Sequence, residues 1–182
     1  MADCTMITAV IKWFFLAIAG MLVTILAMIL APVLALFRQA DDRLPPWLSW
    51  FQPPDTPCCG DAAFHANQMA WTSSKYLWTV FWQWRNPAYG FDAAVLGAQV
   101  LDGFVYSSCG DELVSNTPLH EGWVFRKLVI GSATYWQLYF VHGWIDTKCL
   151  RVNLGWKLWG GLQPGQTRSL VISANPWIAC AK

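Results

Sequence analysis

A stretch of 25 residues near the N-terminus carries no charged side chain, and it constrains the fold more than any other part of the chain. It reads WFFLAIAGMLVTILAMILAPVLALF and runs from Trp13 to Phe37. About 20 apolar residues are enough for a helix to cross a hydrocarbon layer of about 30 Å. The stretch therefore predicts a transmembrane helix over residues 13–37, preceded by a short leader over residues 1–12.

Both ends of this stretch carry side chains that are typical of a membrane surface. Lys12 and Arg38 flank it, where long cationic side chains can reach the headgroups, and Trp13 and Phe37 lie at the depth that aromatic rings favour. Pro32 removes one backbone hydrogen bond, which a membrane helix tolerates when another group replaces the bond. A cleaved signal peptide is the alternative, but its apolar core is usually about 7–15 residues long.

Composition favours a membrane protein over a nucleic-acid-binding protein. Apolar residues make up 55% of the 182 residues and charged residues 13%, whereas about 45–50% and about 25% are usual in soluble domains. The formal net charge is only +1. We therefore expect no broad cationic surface of the kind that binds nucleic acid.

The charges beside the predicted span leave its orientation open. Lys12 and the α-amine lie on one side and Arg38 and Arg43 on the other, which is nearly balanced under the positive-inside rule. The cysteines of the main body are Cys58, Cys59, Cys109, Cys149 and Cys180. Five is an odd number, and adjacent cysteines rarely pair because the ring is strained. This count favours a reduced, cytoplasmic C-terminal domain, although it leaves open whether any of the five form disulfides.

A proline-rich segment over residues 38–60 separates the predicted span from the main body. Its prolines, at positions 45, 46, 53, 54 and 57, forbid a continuous helix or a central strand, so we expect a stiff, extended linker. An apolar group within it, Trp47–Phe51, can pack on the domain or lie at the membrane interface. We favour the interface because the group begins only ten residues after the span. The residues that we assign to the membrane interface are Lys12, Trp13, Arg38, Arg43, Trp47, Trp50 and Phe51.

The aromatic segment YLWTVFWQWRNPAYGF, residues 76–91, predicts an amphipathic helix. From a cap at Ser73 or Ser74 to Trp84, the polar residues Lys75, Thr79 and Gln83 recur every four positions and leave a wide apolar face. Pro87 ends this helix, because the residue before a proline leaves the helical region. Asn86 is then expected to cap a second short helix over residues 87–99.

The rings of this helix most simply form core and cover one face of a sheet. The alternative is that part of the aromatic face lies in the membrane or against a partner. In that case the contact residues are Trp78, Trp82, Trp84 and Arg85. Arg85 is first expected to bond the last carbonyls of the helix and to stack on Trp82 or Trp84.

The second half of the chain changes to a strand pattern. Residues 149–159, CLRVNLGWKLW, alternate apolar and polar side chains, which predicts an antiparallel strand whose Arg151 side faces water. GWVFRKLVI and TYWQLYFVHGW are predicted strands separated by a turn at Gly131-Ser132. RSLVISA is the fourth predicted strand, and QVLDGFVYS is the candidate for a fifth. The expected fold class is α+β: an N-terminal transmembrane helix, a Pro/Trp-rich linker, and a small domain over residues 61–182. In that domain one or two short helices cover an antiparallel meander of four or five strands.

No motif in the chain indicates catalysis or a cofactor. CCGDAAFH brings two thiols and an imidazole together, but adjacent cysteines present their sulfurs to one zinc ion poorly and no second pair follows. The adjacent carboxylates at 41–42 and 111–112 are explained by neighbouring arginines and by a loop, and they do not form a glycosidase pair. We therefore expect no enzyme, no metal, no cofactor and no small-molecule substrate.

Several strings together resemble a known group of proteins. LPPWLSWFQPPD after the span, WRNPAYGF, CLRVNLGWKLWG and Asn175-Pro176 near the C-terminus resemble small uncharacterised membrane proteins encoded by tailed phages and prophages. The resemblance covers most of the chain beyond residue 30. It implies a viral gene product in the host inner membrane, and it carries no activity, fold or catalytic residue.

Two hypotheses of different class follow. The first is a non-enzymatic, single-pass accessory protein that is anchored in the host inner membrane and binds or blocks a host envelope component. The second is a virion structural or genome-delivery component that engages the host membrane. A membrane-bound hydrolase is a third. The first two predict the lipid bilayer and a protein of the envelope or virion as partners, and no nucleic acid.

Overall fold

The structure is a computed structural model that describes residues 2–145 and 147–181, with side chains described from Thr5 onward. Its helices are α1 (Ala2–Leu34), α2 (Ala62–Gln68), α3 (Lys75–Arg85) and α4 (Tyr89–Phe91). Single turns of tighter or wider helix occupy Ala35–Phe37, Pro46–Phe51 and Asp92–Leu96. The strands are β1 (Ala98–Gln99), β2 (Val105–Gly110), β3 (Ser115–Asn116), β4 (Leu119–His120), β5 (Gly122–Ile130), β6 (Ala133–Ile145), β7 (Lys148–Trp156), β8 (Thr167–Arg168) and β9 (Leu170–Ala179).

These elements form two compact units. The sheet unit contains residues 1–17 and 97–182, and the helical unit contains residues 18–96. Helix α1 contributes its first half to the sheet unit and its second half to the helical unit. The residues predicted as a leader are helical from Ala2 on, and the stretch Thr5–Phe37 is long and apolar enough to cross a membrane.

The sheet unit is built on a five-stranded antiparallel sheet with the order β2-β5-β6-β7-β9. This arrangement confirms the α+β fold class and the fifth strand. The β5–β6 hairpin turns at Gly131-Ser132, because Ile130 pairs with Ala133 and Gly131 has a φ of +57°. In β7, Gly155 has a φ of +104°, and a Cβ there would lie 2.0 Å from the carbonyl oxygen of Trp136. Only glycine therefore allows β7 to approach β6 this closely.

The burial of the two faces of the sheet differs from the prediction. Arg126, Gln137 and Asn153 lie on the polar face and are buried, whereas Leu150 and Val152 on the opposite face are only half-buried. The expectation that the Arg151 side faces water is therefore wrong for most of this face. The physical reason is that chain folds over it: Glu112 binds Arg126, and the backbone N–H of Leu158 donates to Gln137.

The proline-rich segment belongs to the core of the helical unit. Its prolines do prevent a long helix, as expected, but Pro46–Phe51 forms a turn of 3-10 helix and not an extended linker. Leu48 packs with Leu34, Leu44 and Cys58 in one buried cluster. The side chain of Gln52, itself buried, accepts a hydrogen bond from the backbone N–H of Leu44 at 2.7 Å. The segment is therefore folded back and held by specific bonds.

The aromatic helix begins and ends as predicted, but the second helix does not. The side chain of Ser74 accepts a hydrogen bond from the backbone N–H of Leu77, and α3 ends at Arg85. The next helix begins at Tyr89, because Ala88 adopts a left-handed conformation with a φ of 54°. Asn86 is the C-terminal cap of α3 and not the N-cap of the following helix.

Candidate functional site

The exposed surface of α1 is the most prominent apolar surface of the molecule. Thirteen large apolar side chains of this helix are exposed, and they extend along nearly its whole length. They are Ile7, Val10, Ile11, Phe14, Phe15, Ile18, Met21, Leu22, Ile25, Leu26, Met28, Ile29 and Val33. We refer to this set as the outer face of α1. An exposed apolar patch of this kind marks a contact with lipid or with another protein.

The opposite side of α1 carries small residues. Ala9 and Ala17 are buried within the sheet unit, and Ala27 and Ala31 are buried within the helical unit. Ala31 packs with Ala35 and with Val80 of α3. Small side chains allow a neighbouring helix to approach closely, which is how helices associate where the surroundings are apolar. The contrast between small and large residues was present in the sequence, but the prediction used only the absence of charge.

Helix α3 replaces a hydrogen bond that α1 lacks. Pro32 has no N–H, so the carbonyl of Met28, four residues earlier, has no partner within α1. The indole N–H of Trp84 donates to that carbonyl at 2.9 Å. The hydroxyl of Tyr76, near the N-terminal end of α3, donates to the carbonyl of Pro32 at 3.2 Å. The two bonds fix α3 against the second half of α1.

Helix α3 departs from the predicted pattern of burial at several positions. Thr79 and Gln83, the centre of its polar stripe, are fully buried, whereas Tyr76, Phe81 and Trp84 are exposed. Thr79 bonds the carbonyl of Lys75 within the helix, and the amide of Gln83 has no hydrogen-bond partner in the part of the chain that the structure describes. The helix thus buries two of its polar side chains while three of its aromatic rings are exposed.

The predicted contact residues of α3 divide into two that are packed and two that are exposed. Trp78 is half-buried and stacks on His65, with 4.0 Å between ring centroids, and Trp82 is buried. Trp84 and Arg85 are exposed. The Arg85 guanidinium lies 5.5 Å from the centroid of Trp82, which confirms the predicted stacking. The predicted contact with lipid or a partner therefore has exposed side chains at Trp84 and Arg85 and not at Trp78 or Trp82.

The residues assigned to the membrane interface also differ in exposure. Lys12 lies 5.4 Å from the ring centroid of Tyr135, and Trp13 packs edge-on against Trp136 at 5.2 Å, both within the sheet unit. In the helical unit Trp47 and Trp50 are exposed, with 70% and 51% of their surface accessible. Phe51 is half-buried against the Leu48 cluster. The apolar group of the proline-rich segment therefore contributes some side chains to the core and others to the surface.

Charged residues in the segment that follows α1 form ion pairs and hydrogen bonds within the helical unit. Asp42 forms ion pairs with Arg38 and with Lys75, the latter at 2.8 Å. The hydrogen bond from Lys75 is the main cause that lowers the pKa of Asp42. Arg43 donates to the carbonyl of Pro54 at 3.2 Å. Lys75 is 33 residues from Asp42, so the prediction that neighbouring arginines neutralise residues 41–42 does not include this ion pair.

The five cysteines whose side chains are described are free thiols, and of these only Cys109 is exposed. Burial raises the pKa of Cys58 and of Cys149 to about 11 in each case. His65 bonds the carbonyl of Cys59 at 2.8 Å. Within residues 5–145 and 147–181, no group of three His, Cys, Asp or Glu side chains is placed to hold a metal ion.

The adjacent carboxylates at 111–112 have separate partners. Asp111 accepts a bond from His120 at 2.5 Å, and Glu112 binds the Arg126 guanidinium through Nε at 2.9 Å. Burial opposes the ionisation of Glu112, but hydrogen bonds from Arg126, Ser108 and Tyr106 outweigh it and lower the pKa of this carboxyl. Each carboxylate therefore stabilises a local contact.

Comparison with known proteins places the chain in a family without assigning it a reaction. No curated protein and no solved structure matches it. One family model matches residues 5–182, which is nearly the entire chain, and that family is described as a family of unknown function (DUF7338). The chain belongs to this family of unknown function, DUF7338.

Proposed function

We propose that the chain is a phage-encoded, non-enzymatic accessory protein that is anchored in the host inner membrane by α1 and that binds or blocks a host envelope component. The observation that carries the proposal is the outer face of α1. Thirteen large apolar side chains on one helix are exposed, and transfer of each from water to an apolar environment is worth roughly 1.5–3 kcal/mol. Lipid is the environment that satisfies a surface of this length and composition.

The helical unit supports the same proposal independently. The exposed rings of α3, Tyr76, Phe81 and Trp84, lie on a helix that hydrogen-bonds the Met28 and Pro32 carbonyls near the end of the apolar stretch. Aromatic rings with a polar atom are enriched where a bilayer meets water. The ion pairs of Asp42 with Arg38 and Lys75 follow directly after that end. This order of apolar, aromatic and charged groups fits a bilayer and its surface.

The non-enzymatic part of the proposal rests on the bonding partners and the pKa values of the reactive side chains. Asp111 and Glu112 are bound to His120 and Arg126, and His142 is bound to Glu121 at 2.8 Å. Cys58 and Cys149 are buried thiols with raised pKa values, which makes them poor nucleophiles at neutral pH. These groups have structural partners, so binding is the activity that we propose.

Membrane fractionation tests the anchoring. The full chain is expected to remain in the membrane pellet after washing at alkaline pH. Ile25→Arg on the outer face should make insertion less favourable by about 2.5–3.5 kcal/mol and move protein to the soluble fraction. Ile145→Arg makes the same change at an exposed isoleucine of β6 and is the matched control. Equal fractionation of the two variants would contradict a lipid contact of α1.

A second experiment separates the accessory role from a virion role. Quantitative mass spectrometry of purified phage particles and of host membranes from infected cells measures where the protein accumulates. The accessory proposal expects recovery in host membranes and absence from particles. A stoichiometric copy number in particles would replace it with the virion hypothesis.

A further inference from the structure

A cleft opens on the polar face of the sheet. The residues that line it are distant in sequence from the apolar segment of α1. The volume of the cleft is about 560 Å³, which is within the range of small-molecule sites. Side chains from β5, β6, β7 and β9 line it, together with residues that follow β2 and β7. All of its lining residues belong to the sheet unit.

The cleft has an excess of positive charge. Its charged side chains are Glu112, Arg126, Arg151 and Lys157. Glu112 is already bound to Arg126, whose side chain is 7% exposed. Among the described side chains, Arg151 and Lys157 form no ion pair with a carboxylate. The cleft therefore offers two cations that are not neutralised by the protein.

Arg151 also has an unused hydrogen-bond donor. Its Nε atom is buried and has no hydrogen-bond partner among the described residues. Its Nη1 reaches the Asn116 Oδ1 at 3.4 Å, which is long for a hydrogen bond. Arg151 lines the cleft, and an arginine guanidinium binds a carboxylate or phosphate through two parallel hydrogen bonds. The geometry of Arg151 thus points to an anion.

The rest of the lining provides an apolar wall and neutral polar groups. Trp159 is 41% exposed, and its ring lies 6.4 Å from that of Tyr139. Asn153 and Ser173 present an amide and a hydroxyl within the same cleft. A second hollow of about 410 Å³ shares Glu112, Arg126 and Trp159 with the first. An extended ligand therefore has room on both sides of Trp159.

We propose that this cleft binds a small molecule in which a phosphate group is attached to a planar or apolar moiety. Arg151 and Lys157 bind the phosphate, and Trp159 packs on the attached moiety. A phosphate monoester carries a charge of about −1.5 to −2 at neutral pH, which matches the two cations. The same monoester occurs in the headgroup of phosphatidic acid and in soluble phosphate esters. The proposal does not depend on the proposed function, because no residue of the apolar segment lines the cleft.

Calorimetric titration of the full chain in maltoside micelles tests the proposal. The probe is phenyl phosphate, with phenol as the uncharged analogue and inorganic phosphate as the charged group alone. We expect saturable binding of phenyl phosphate with a dissociation constant of roughly 1 mM or below, weaker binding of inorganic phosphate, and none of phenol. Absence of saturable phenyl phosphate binding would overturn the proposal.

Variants identify the cleft as the place of binding. Lys157→Gln and Arg151→Gln should each weaken phenyl phosphate about tenfold, since each removes a hydrogen bond to a charged group. Lys127→Gln makes the same change of charge on the opposite face of β5 and should bind normally. Lys157 is exposed, so its variant keeps the test decisive if Arg151→Gln fails to fold. Equal affinity of Lys157→Gln and the natural chain, or equal weakening by Lys127→Gln, would refute the assignment.

The source of the phosphate is distinguished by changing the surroundings. The titration is repeated in nanodiscs that contain phosphatidic acid. If lipid headgroups occupy the cleft, the apparent affinity for phenyl phosphate falls relative to maltoside micelles, and the ligand is a phospholipid. If the affinity is unchanged, the ligand is a soluble phosphate ester.

Discussion

Trp84 donates its indole N–H to the carbonyl oxygen of Met28 at 2.9 Å. That carbonyl is available because Pro32, four residues later, has no N–H. The carbonyl that has no partner within α1 thereby becomes a specific attachment point for α3. The relationship also explains why a tryptophan is required at the C-terminal end of α3, since phenylalanine offers the same apolar ring without a donor.

This relationship predicts a coupling between two substitutions. Trp84→Phe should lower the free energy of unfolding by about 1–2 kcal/mol, because the Met28 carbonyl loses its partner. In a Pro32→Ala background the new N–H of residue 32 can bond that carbonyl, and the same substitution should cost clearly less. Thermal unfolding of the four proteins in detergent, followed by near-UV circular dichroism, measures the coupling. An equal cost in both backgrounds would show that the bond does not stabilise the helical unit.

The two sides of α1 predict opposite tolerance to larger side chains. Ala31 is fully buried against Val80, so Ala31→Leu should destabilise the protein by about 1–3 kcal/mol through overpacking. Val33→Leu on the outer face should change stability by less than about 0.5 kcal/mol. The same detergent melts compare them. If Val33→Leu proved the more damaging, the assignment of inner and outer sides would be reversed.

The Glu112–Arg126 pair predicts a dependence of stability on pH. The folded state lowers the pKa of Glu112, so its contribution is complete above the ordinary carboxyl range and is lost as the pH falls through the lowered value. Glu112→Gln should reduce stability at pH 7 by about 1–3 kcal/mol, since Arg126 is buried and loses a charged partner. The deficit should shrink on acidification.

A matched change supplies the control for this prediction. Glu121→Gln removes a carboxylate from an exposed pair with His142 and should have little effect at any pH. Unfolding is followed between pH 3 and pH 7 for both variants. A deficit of Glu112→Gln that is the same at all pH values would exclude ionisation of Glu112 as the cause.

Thiol reactivity offers a direct test of burial and of membrane sidedness. Cys109 is exposed and should react with a maleimide at neutral pH, whereas Cys58 and Cys149 are buried with pKa values of about 11 and should react only after unfolding. Mass spectrometry of labelled peptides measures each site. Labelling of Cys109 by an impermeant maleimide in intact cells would place the sheet unit outside the cytoplasm, contrary to the side favoured by the cysteine count.

Much of the secondary structure could be predicted from local patterns. The apolar stretch gives most of α1, the alternation of residues 149–159 gives β7, and Ser74 and Pro87 lie at the two ends of α3, because each signal depends on neighbouring residues. The left-handed Ala88 has no such signal, and the start of the following helix was therefore misplaced.

The surfaces could not be predicted in the same way. Nearly every residue of α1 is apolar, so a hydrophobic period does not separate its two sides, which differ in side-chain size. On α3 the usual rule assigns polar residues to the outside, and this rule assumes water as the surroundings. The cleft depends on Arg126, Arg151 and Trp159, which are separated in sequence and meet only through the strand register. Long-range pairing of this kind leaves no local pattern.

The division of α1 between the two units has a consequence for biosynthesis. Residues 2–17 leave the ribosome before the 79 residues of the helical unit, yet their sheet partners are translated afterwards. At roughly 5–20 residues per second this delay is about 4–16 s. The ring of Trp13 therefore has no Trp136 to pack against until residues 18–96 have been translated. A ribosome stalled just far enough beyond residue 96 for the helical unit to leave the exit tunnel should present that unit to protease before the five-stranded sheet can form.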